Sequence, residues 1–417
     1  MVVLFLVVFV AMTGFGIILP IFPFYAERVG ASPAAITWTM AAFTLGQAVA
    51  APLWGRLSDA YGRRLVLTLT MFGQAVAYVM LAYADSLWLV VLSRVLGGMM
   101  AGNVATAFAY VADVTDEEQR PAALGKIGAA MGVGFICGPA LGGLLAGADV
   151  ATANFVVPAL ASAGMCLVAM IGTMLFLRES LDAQHRTPLF SLADSPVDKK
   201  GGLAALKRDG LLRLLFAALV FYIGMSIMES IFSLWSKDVF DIGPRKIGTV
   251  FFVMGVISVM MQAGFIGPLT SRFGEKPVAV AAALSTSIGL VGMATATDFW
   301  QVWISLVPFG IGTGLFNPVL SSLVSKTASP RERGAVMGRY QSASAIGRVG
   351  GPLICGPLYM YVDAGAPYLV SAALMLPVAA LLWTYRPLVK STGVNSAGGD
   401  SAGADATATD SAAQLDE

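Results

Sequence analysis

Long apolar segments alternate with short polar segments along almost the whole chain. Twelve apolar segments hold few charges and are long enough for a helix to cross the roughly 30 Å of hydrocarbon in a bilayer. They cover residues 1–25, 33–54, 65–84, 87–112, 122–147, 154–177, 211–235, 247–269, 277–297, 299–324, 335–361 and 367–385. Backbone polar groups in lipid must be satisfied within the chain, so these segments indicate helices and exclude a barrel. The pattern predicts an all-α membrane protein with twelve transmembrane helices.

The segment at 178–210 interrupts this pattern, because it contains charges, prolines and glycines and has no sustained apolar face. It predicts a cytoplasmic linker between a six-helix bundle at 1–177 and a second one at 211–385. Gly62 recurs 212 residues later as Gly274, and the Gly-Pro pair at 138–139 recurs 213 residues later at 351–352. Such a repeat indicates duplication. Duplicated parallel bundles predict a binding site near the midplane, between the halves, and alternating access.

Composition and charge agree with this assignment and exclude other classes. The apolar class makes up 57% of the chain and charged residues 12%, whereas soluble proteins carry about a quarter charged residues. Residues 386–417 are small and polar, which predicts a disordered cytoplasmic tail. A nucleotide-binding loop is absent from the sequence, and Cys137, Cys166 and Cys355 have no ligand spacing. We therefore expect no enzymatic activity, cofactor, metal or nucleic-acid partner.

The distribution of basic residues predicts the orientation in the membrane. If the loop at 55–64 is cytoplasmic, 20 of the 26 Lys and Arg residues lie on or near that side. Basic loops are retained in the cytoplasm, so this arrangement puts both termini there and predicts a location in the inner membrane. Segment 1–25 has no basic residue before it and no small-residue cleavage pattern, so we interpret it as the first span rather than a secretory signal.

Three short motifs lie on or between the predicted helices: GRLSDAYGRR at 55–64, RVLGG at 94–98 and GFICGPALGG at 134–143. In the first, the carboxylate of Asp59 can hold arginines or the N-terminus of a helix from the other half, which predicts a cytoplasmic latch. A solvated loop whose arginines only fix topology is the alternative. Asp113, at the end of helix four, is expected to pair with Arg120 or Arg64.

The motif at 134–143 predicts a smooth helix face. The glycines remove side chains, so that another helix can approach closely, and the proline bends the helix. Its residues are Gly134, Gly138, Pro139, Gly142 and Gly143.

Two charged residues lie deep in the second predicted bundle. Glu229 is well inside helix seven, where a carboxyl group can load and release a proton as access changes sides. Arg348 lies near the middle of helix eleven, and we expect the two to pair. A fixed ion pair between helices, or a direct contact of Glu229 with a cationic substrate, are the alternatives.

In these three motifs the chain resembles the major facilitator superfamily, most closely its drug:proton antiporters of the tetracycline type. The resemblance covers about 385 residues and implies that Asp59 pairs with Arg63, that the glycine motif closes the path to the periplasm, and that Arg94 takes part in proton coupling. An arginine snorkelling to the periplasmic surface is the alternative for Arg94. One departure concerns the first helix, where the family's acid would fall on Ala11 and no acid precedes Glu27.

The expected site residues form three further groups. The cytoplasmic gate comprises Gly55, Asp59, Gly62, Arg63, Arg64, Asp113 and Arg120. The proton-coupling group is Glu229, Arg348 and Arg94. The substrate cavity is expected to be lined by aromatic, methionine and amide side chains, namely Phe15, Phe22, Asn103, Phe108, Met225, Phe232, Phe316 and Asn317.

Together these features predict a secondary transporter, a monomer in the lipid bilayer, that exports hydrophobic or amphipathic small molecules in exchange for protons. An importer or uniporter of a small metabolite with the same fold is the alternative. A channel is disfavoured, because two similar halves suit rocking about a central site.

Overall fold

The computed structural model describes residues 2–116, 118–181, 210–328 and 332–385, which form helices and no strand. The helices are α1 in two parts (Val2–Ile18 and Phe22–Arg28), α2 (Pro33–Tyr61), α3 (Arg63–Ala82), α4 in two parts (Leu87–Met99 and Asn103–Val114), α5 (Arg120–Ala146), α6 (Val156–Phe176), α7 (Leu211–Phe240), α8 (Pro244–Met260, continuing through a π turn into Ile266–Phe273), α9 (Glu275–Ala294), α10 (Phe299–Lys326), α11 (Arg333–Tyr361) and α12 (Ala366–Thr384). Most of the predicted linker and the predicted tail lie outside the described residues.

Every predicted span corresponds to one of these helices. Ten are long and apolar enough to cross a bilayer, and the two parts of α1, which meet at a 47° bend, make an eleventh. The exception is α11, which is 29 residues long but interrupted by charges, glycines and prolines. Large apolar side chains on the outside, such as Phe176 and Leu175, are 69% and 70% exposed. An apolar surface of this kind is matched to lipid rather than to water.

Single residues mark where several helices begin or end. Ser32 caps α2, where its Oγ accepts a hydrogen bond from the Ala35 N–H at 3.3 Å. Gly62 alone joins α2 to α3, and Gly274 alone joins α8 to α9, with φ of 104° and 82°. Only glycine adopts such angles without strain, so these tight turns need it.

The interruption in α4 coincides with a tryptophan from α2. The Trp54 indole donates a hydrogen bond of 2.5 Å to the Met99 carbonyl, at the residue where the first part of α4 ends. The same ring packs against Gly102, where a side chain would collide with it. The carbonyl freed by the break is therefore satisfied by a side chain of a neighbouring helix.

Helices α1–α6 form the first half and α7–α12 the second half. Within the first half α1 packs on α5 and α6; within the second half α7 packs on α11 and α12. The halves meet mainly through two pairs, α2 with α11 and α5 with α8. We call the end that carries Gly62 and Gly274 the motif end.

The halves touch at one end and separate at the other. Gly143 of α5 packs against the start of α8, whereas Gly125 on the same face has no neighbour within 4 Å. Gly356 of α11 packs against the start of α2, whereas Gly338 has none. In each pair the glycines are eighteen residues apart, about five full helical turns, so they point the same way. The space between the halves is therefore open at the motif end and closed at the opposite end.

Candidate transport site and gates

A buried arginine organises the turn between α2 and α3. The Arg63 guanidinium contacts Asp59 at 2.5 Å and Asp113 of α4 at 3.0 Å, and it donates to the Ser58 Oγ at 2.6 Å. Arg63 is only 7% exposed. A guanidinium with three acceptors at this depth ties the ends of α2, α3 and α4 together.

Sequence reasoning missed one member of this cluster, Glu179, which follows the end of α6. Its carboxylate accepts hydrogen bonds from the backbone N–H groups of Arg63 at 2.8 Å and Arg64 at 3.2 Å. It therefore caps the N-terminus of α3, where a negative charge is favoured. A side chain on Gly62 would collide with this carboxylate. The available signal was an acid placed directly after an apolar span, on the side of the basic loop.

The other gate residues deviate from the expected pairing. Asp113 pairs with Arg63 and not with Arg120 or Arg64. The Arg120 guanidinium instead donates to the Ala112 carbonyl at 3.2 Å, and Arg64 donates to the Met174 carbonyl. The correction follows from helix direction, because Arg63 at the start of α3 projects between the ends of α2 and α4.

The remaining gate position, Gly55, accepts a hydrogen bond from the Ser58 Oγ at 2.8 Å through its carbonyl. All partners given above for the motif-end cluster belong to the first half. In this conformation the cluster therefore does not join the halves.

The glycine motif of α5 contacts two neighbouring helices, α1 and α8. Gly134, Gly138 and Gly142 face α1, where a side chain would run into backbone atoms. Gly143 faces α8 instead, and Pro139 lies against Gly248 of α8. The motif thus combines packing inside the first half with one contact between the halves.

At the end opposite the motif loops, a small polar cluster that we call the clasp joins the two halves. It consists of Glu27 of α1, Lys237 and Asp238 of α7, and Tyr359 of α11. The Lys237 Nζ lies 2.5 Å and 2.6 Å from the two Glu27 oxygens, and the Tyr359 hydroxyl donates to Asp238 at 2.7 Å. Among ion pairs between described residues, Glu27–Lys237 is the one that connects the halves.

Arg94 lies inside the first half, surrounded by aromatic rings. Its guanidinium carbon is 5.6 Å from the ring centres of Phe22, Phe43 and Tyr78. The residue is 5% exposed, and its Nε and Nη2 atoms have no hydrogen-bond partner. The rings stabilise a cation that has no carboxylate within 4 Å in the described part of the chain. The side chain is therefore not snorkelling to the surface.

Glu229 and Arg348 do not form the direct ion pair that the sequence suggested. Neither appears in an ion pair within 4 Å among the described residues. The Arg348 guanidinium instead lies 5.3 Å from the centre of the Tyr222 ring. Glu229 shares a helix face with Tyr222 and Met225, and all three are partly exposed on a mostly buried helix. The acid therefore faces the space between the halves.

The predicted cavity residues divide into two sets. Phe15, Met225 and Asn317 keep exposed surface, and Asn317 accepts a hydrogen bond from the Tyr340 hydroxyl at 2.7 Å. Phe108 is partly buried in the core of the first half. The structure buries the others inside a single half, which removes them from substrate contact in this conformation. These are Phe22 beside Arg94, Asn103 beside Met71, Phe232 against Phe251, and Phe316 stacked on Phe221.

Comparison with known proteins identifies the family. The sequence profile of the Major Facilitator Superfamily matches residues 4–270 and 263–409, which is most of the chain. The protein belongs to this superfamily. It is 33% identical over 363 residues to the tetracycline resistance protein of class G from Vibrio anguillarum, covering 85% of this chain and 88% of that protein. It is 25% identical to the quinolone resistance protein NorA of Staphylococcus aureus, with coverage of 87% and 90%.

A solved structure supports the same fold. The human organic anion transporter MFSD10 superposes with a TM-score of 0.68 over 91% of this chain and 98% of that one, at 24% sequence identity. This major facilitator protein is accordingly a multi-pass membrane transporter of small molecules.

Proposed function

We propose that this major facilitator protein exports hydrophobic or amphipathic small molecules across the cytoplasmic membrane in exchange for protons. Relatives named for tetracycline and quinolone resistance support the direction of transport. The basic residues around the motif end support a cytoplasmic position for that end and for both termini. One chain contains both halves of the site, which supports a monomer.

With this orientation the structure represents the inward-facing state. The space between the halves opens to the cytoplasm, so a substrate dissolved in the inner leaflet or the cytosol can enter it. The clasp and the glycine contacts at Gly143 and Gly356 block the periplasmic side. Export then requires the clasp to separate and the motif end to close, with Asp59 available to hold a helix of the second half.

The observation that carries the proposal is the unpartnered carboxyl group of Glu229. Among the described residues it has no hydrogen bond and no ion pair, yet it faces the space between the halves at mid-membrane depth. An acid so placed is costly unless it carries a proton or binds a cation. Glu229 can therefore take a proton from one side and give it to the other, which replaces the first-helix acid that this chain lacks.

Arg348 and Arg94 are two cations that lie inside membrane-spanning helices, on α11 and α4. Arg348 lies on α11, which packs on α7, and it is near enough to Glu229 to interact with it electrostatically. Arg94 has two buried guanidinium nitrogens without partners, Nε and Nη2, so it is the second candidate for coupling. Its aromatic cage would have to open before any group could bind there.

Uptake into inverted membrane vesicles tests the proposal directly. We expect a tetracycline or an aromatic amine to accumulate when a proton gradient is present, and a proton-dissipating agent to abolish the accumulation. Glu229→Gln should abolish gradient-driven uptake while binding stays measurable. Glu118→Gln, which removes an exposed loop carboxylate, is the matched control. Unchanged gradient-driven uptake by the Glu229 variant would show that this residue does not take part in coupling. Uptake by the wild type that does not depend on the gradient would favour a uniporter.

A further inference from the structure

The two walls of the space between the halves have opposite chemistry at equivalent positions. Phe135 of α5 and Arg348 of α11 are 213 residues apart, the same offset that relates the two Gly-Pro pairs. Both follow a glycine that packs on the central helix of the same half, α1 for Gly134 and α7 for Gly347. Duplication has therefore placed an aromatic ring on one wall and a guanidinium on the other.

Helix geometry shows that both side chains face the gap rather than the lipid. On α11, Gly347 packs on α7 of the same half and Gly356 packs on α2 of the other half. At 100° per residue, Arg348 projects between these two directions. Phe135 stands in the same relation to Gly134 and Gly143 on α5. The two glycines of each helix point in opposite directions, so the side that faces lipid is identified by exposed apolar residues, Ile346 (63% exposed) on α11 and Val133 (43% exposed) on α5. Arg348 and Phe135 project to the other side and therefore face the space that both halves enclose.

The wall of the first half is aromatic and stacked. The ring centres of Phe15 and Phe43 are 5.4 Å apart, and those of Phe15 and Phe135 are 6.4 Å apart. Phe15 and Phe135 keep exposed surface. Such a group of rings can take the flat face of an apolar or aromatic molecule.

The wall of the second half presents a cation that has no described carboxylate in direct contact. Arg348 is exposed to the gap, and Tyr222 covers one face of its guanidinium. A guanidinium carries five N–H donors in a plane, and two of them can bind the two oxygens of a carboxylate at the same time. At this depth in the membrane a cation needs a partner, and the described part of the chain supplies no carboxylate within 4 Å.

Resting on the proposed function, we propose that Arg348 binds an anionic oxygen group of the substrate. The basic amine of the same substrate binds Glu229, and the aromatic part of the substrate stacks on Phe15 and Phe135. Glu229 lies seven residues beyond Tyr222 on α7, so the two charged contacts are separated by roughly 10 Å along the helix. A bound ammonium group occupies the carboxylate oxygens that would carry the proton. Substrate and proton therefore bind in turn, as exchange requires.

A matched pair of probes tests this assignment: an aromatic amine that carries a carboxylate, and its methyl ester. Binding to the purified protein and gradient-driven uptake into inverted vesicles are measured for both. We expect the wild type to prefer the acid by about tenfold in Kd, which corresponds to ~1.4 kcal/mol. Arg348→Gln should remove the preference by weakening the acid alone, and Arg348→Lys should keep part of it. Arg272→Gln, which removes an exposed arginine at the motif end, should leave the preference unchanged.

Two results would overturn the assignment. One is equal binding of acid and ester by the wild type, which needs no variant and so does not depend on folding. The other is an Arg348→Gln variant that weakens acid and ester equally, which would indicate a structural arginine. Failure of the proposed function has a different signature, because then neither probe responds to the proton gradient whatever their relative affinities.

Discussion

The two halves use the same backbone turn at the motif end but surround it with different charges. Gly62 and Gly274 adopt nearly the same conformation, and each is followed by a charged residue, Arg63 in the first half and Glu275 in the second. Arg63 pairs with Asp113 on α4, whereas Glu275 pairs with Lys326 on α10 at 2.7 Å. The residue after the turn is the cation of the pair in the first half and the anion in the second half. The two halves therefore share the geometry of this turn but differ in the charges around it.

The two clusters also differ in burial. Arg63 has three side-chain partners and a side chain only 9% exposed, while Lys326 is 66% exposed. Ion pairs in water contribute little, whereas breaking a buried one leaves an uncompensated charge. The first cluster should therefore contribute far more to stability than the second.

The largest expected effect is the loss of the buried cluster. Arg63→Gln should destabilise the protein by ~3 kcal/mol, because it leaves Asp113 and Asp59 without their cation. Glu275→Gln should cost less than ~1 kcal/mol. Thermal unfolding of the purified variants in one detergent measures both. Equal losses would show that the two turns are energetically equivalent, contrary to their burial.

The second prediction concerns turnover rather than stability. Asp59→Asn should lower the uptake rate in inverted vesicles about tenfold, or ~1.4 kcal/mol, because the latch that we propose for the motif end would lose its charge. Ser271 occupies the equivalent position in the second half, and Ser271→Asn should change little. Intact turnover in the Asp59 variant would remove the latch from the mechanism.

A third prediction addresses a feature that the halves share. A side-chain carbon on Gly143 would lie 2.6 Å from the Pro244 carbonyl oxygen, and one on Gly356 would lie 2.6 Å from the Ala34 Cα. Valine at either position should separate the halves at the end that carries the clasp. We expect about threefold faster labelling of a cysteine in that region by an impermeant thiol reagent, or ~0.65 kcal/mol.

The control for these glycines is Gly164→Val on α6, which has open space around it. If the Gly143 variant is labelled faster and the Gly356 variant is not, the contact of α5 with α8 and the contact of α11 with α2 are not equivalent.

The smallest expected effect belongs to the clasp, where charges of the two halves meet. Lys237→Gln should change the uptake rate less than threefold, because the pair is partly exposed and contributes about 0.5 kcal/mol. Exchanging the charges in the double variant Glu27→Lys and Lys237→Glu should restore the original rate. A double variant slower than either single one would mean that the pair has another role.

The sequence was a good guide to helices and a weaker guide to side-chain partners. Segment length and apolarity predict all twelve helices, because the bilayer allows few alternatives. Three motifs sufficed to find the family. The pairing of Asp113 with Arg63 could not be predicted, since it depends on the direction of α3 relative to α2 and α4.

The aromatic residues illustrate the same limit. Phe15 and Phe316 look alike in sequence, as both lie in apolar helices, yet one keeps exposed surface and the other is buried against Phe221. Which face of a membrane helix points inward is set by packing partners rather than by hydropathy, because lipid and protein interiors are both apolar. Glu179 was missed for a related reason: its position after an apolar span was visible, but its partners are backbone N–H groups, which every residue has.

The vacant glycines at the motif end have a mechanical consequence. Gly125 and Gly338 present bare backbone on the same helix faces that touch the opposite half at the end that carries the clasp, so α5 and α11 each carry a glycine at both ends of the face. Rocking can then exchange one set of backbone contacts for another of similar area, without rotating a helix about its axis or repacking its side chains. A motion of this kind would leave the packing inside each half unchanged, so that only the contacts between the halves distinguish the two conformations.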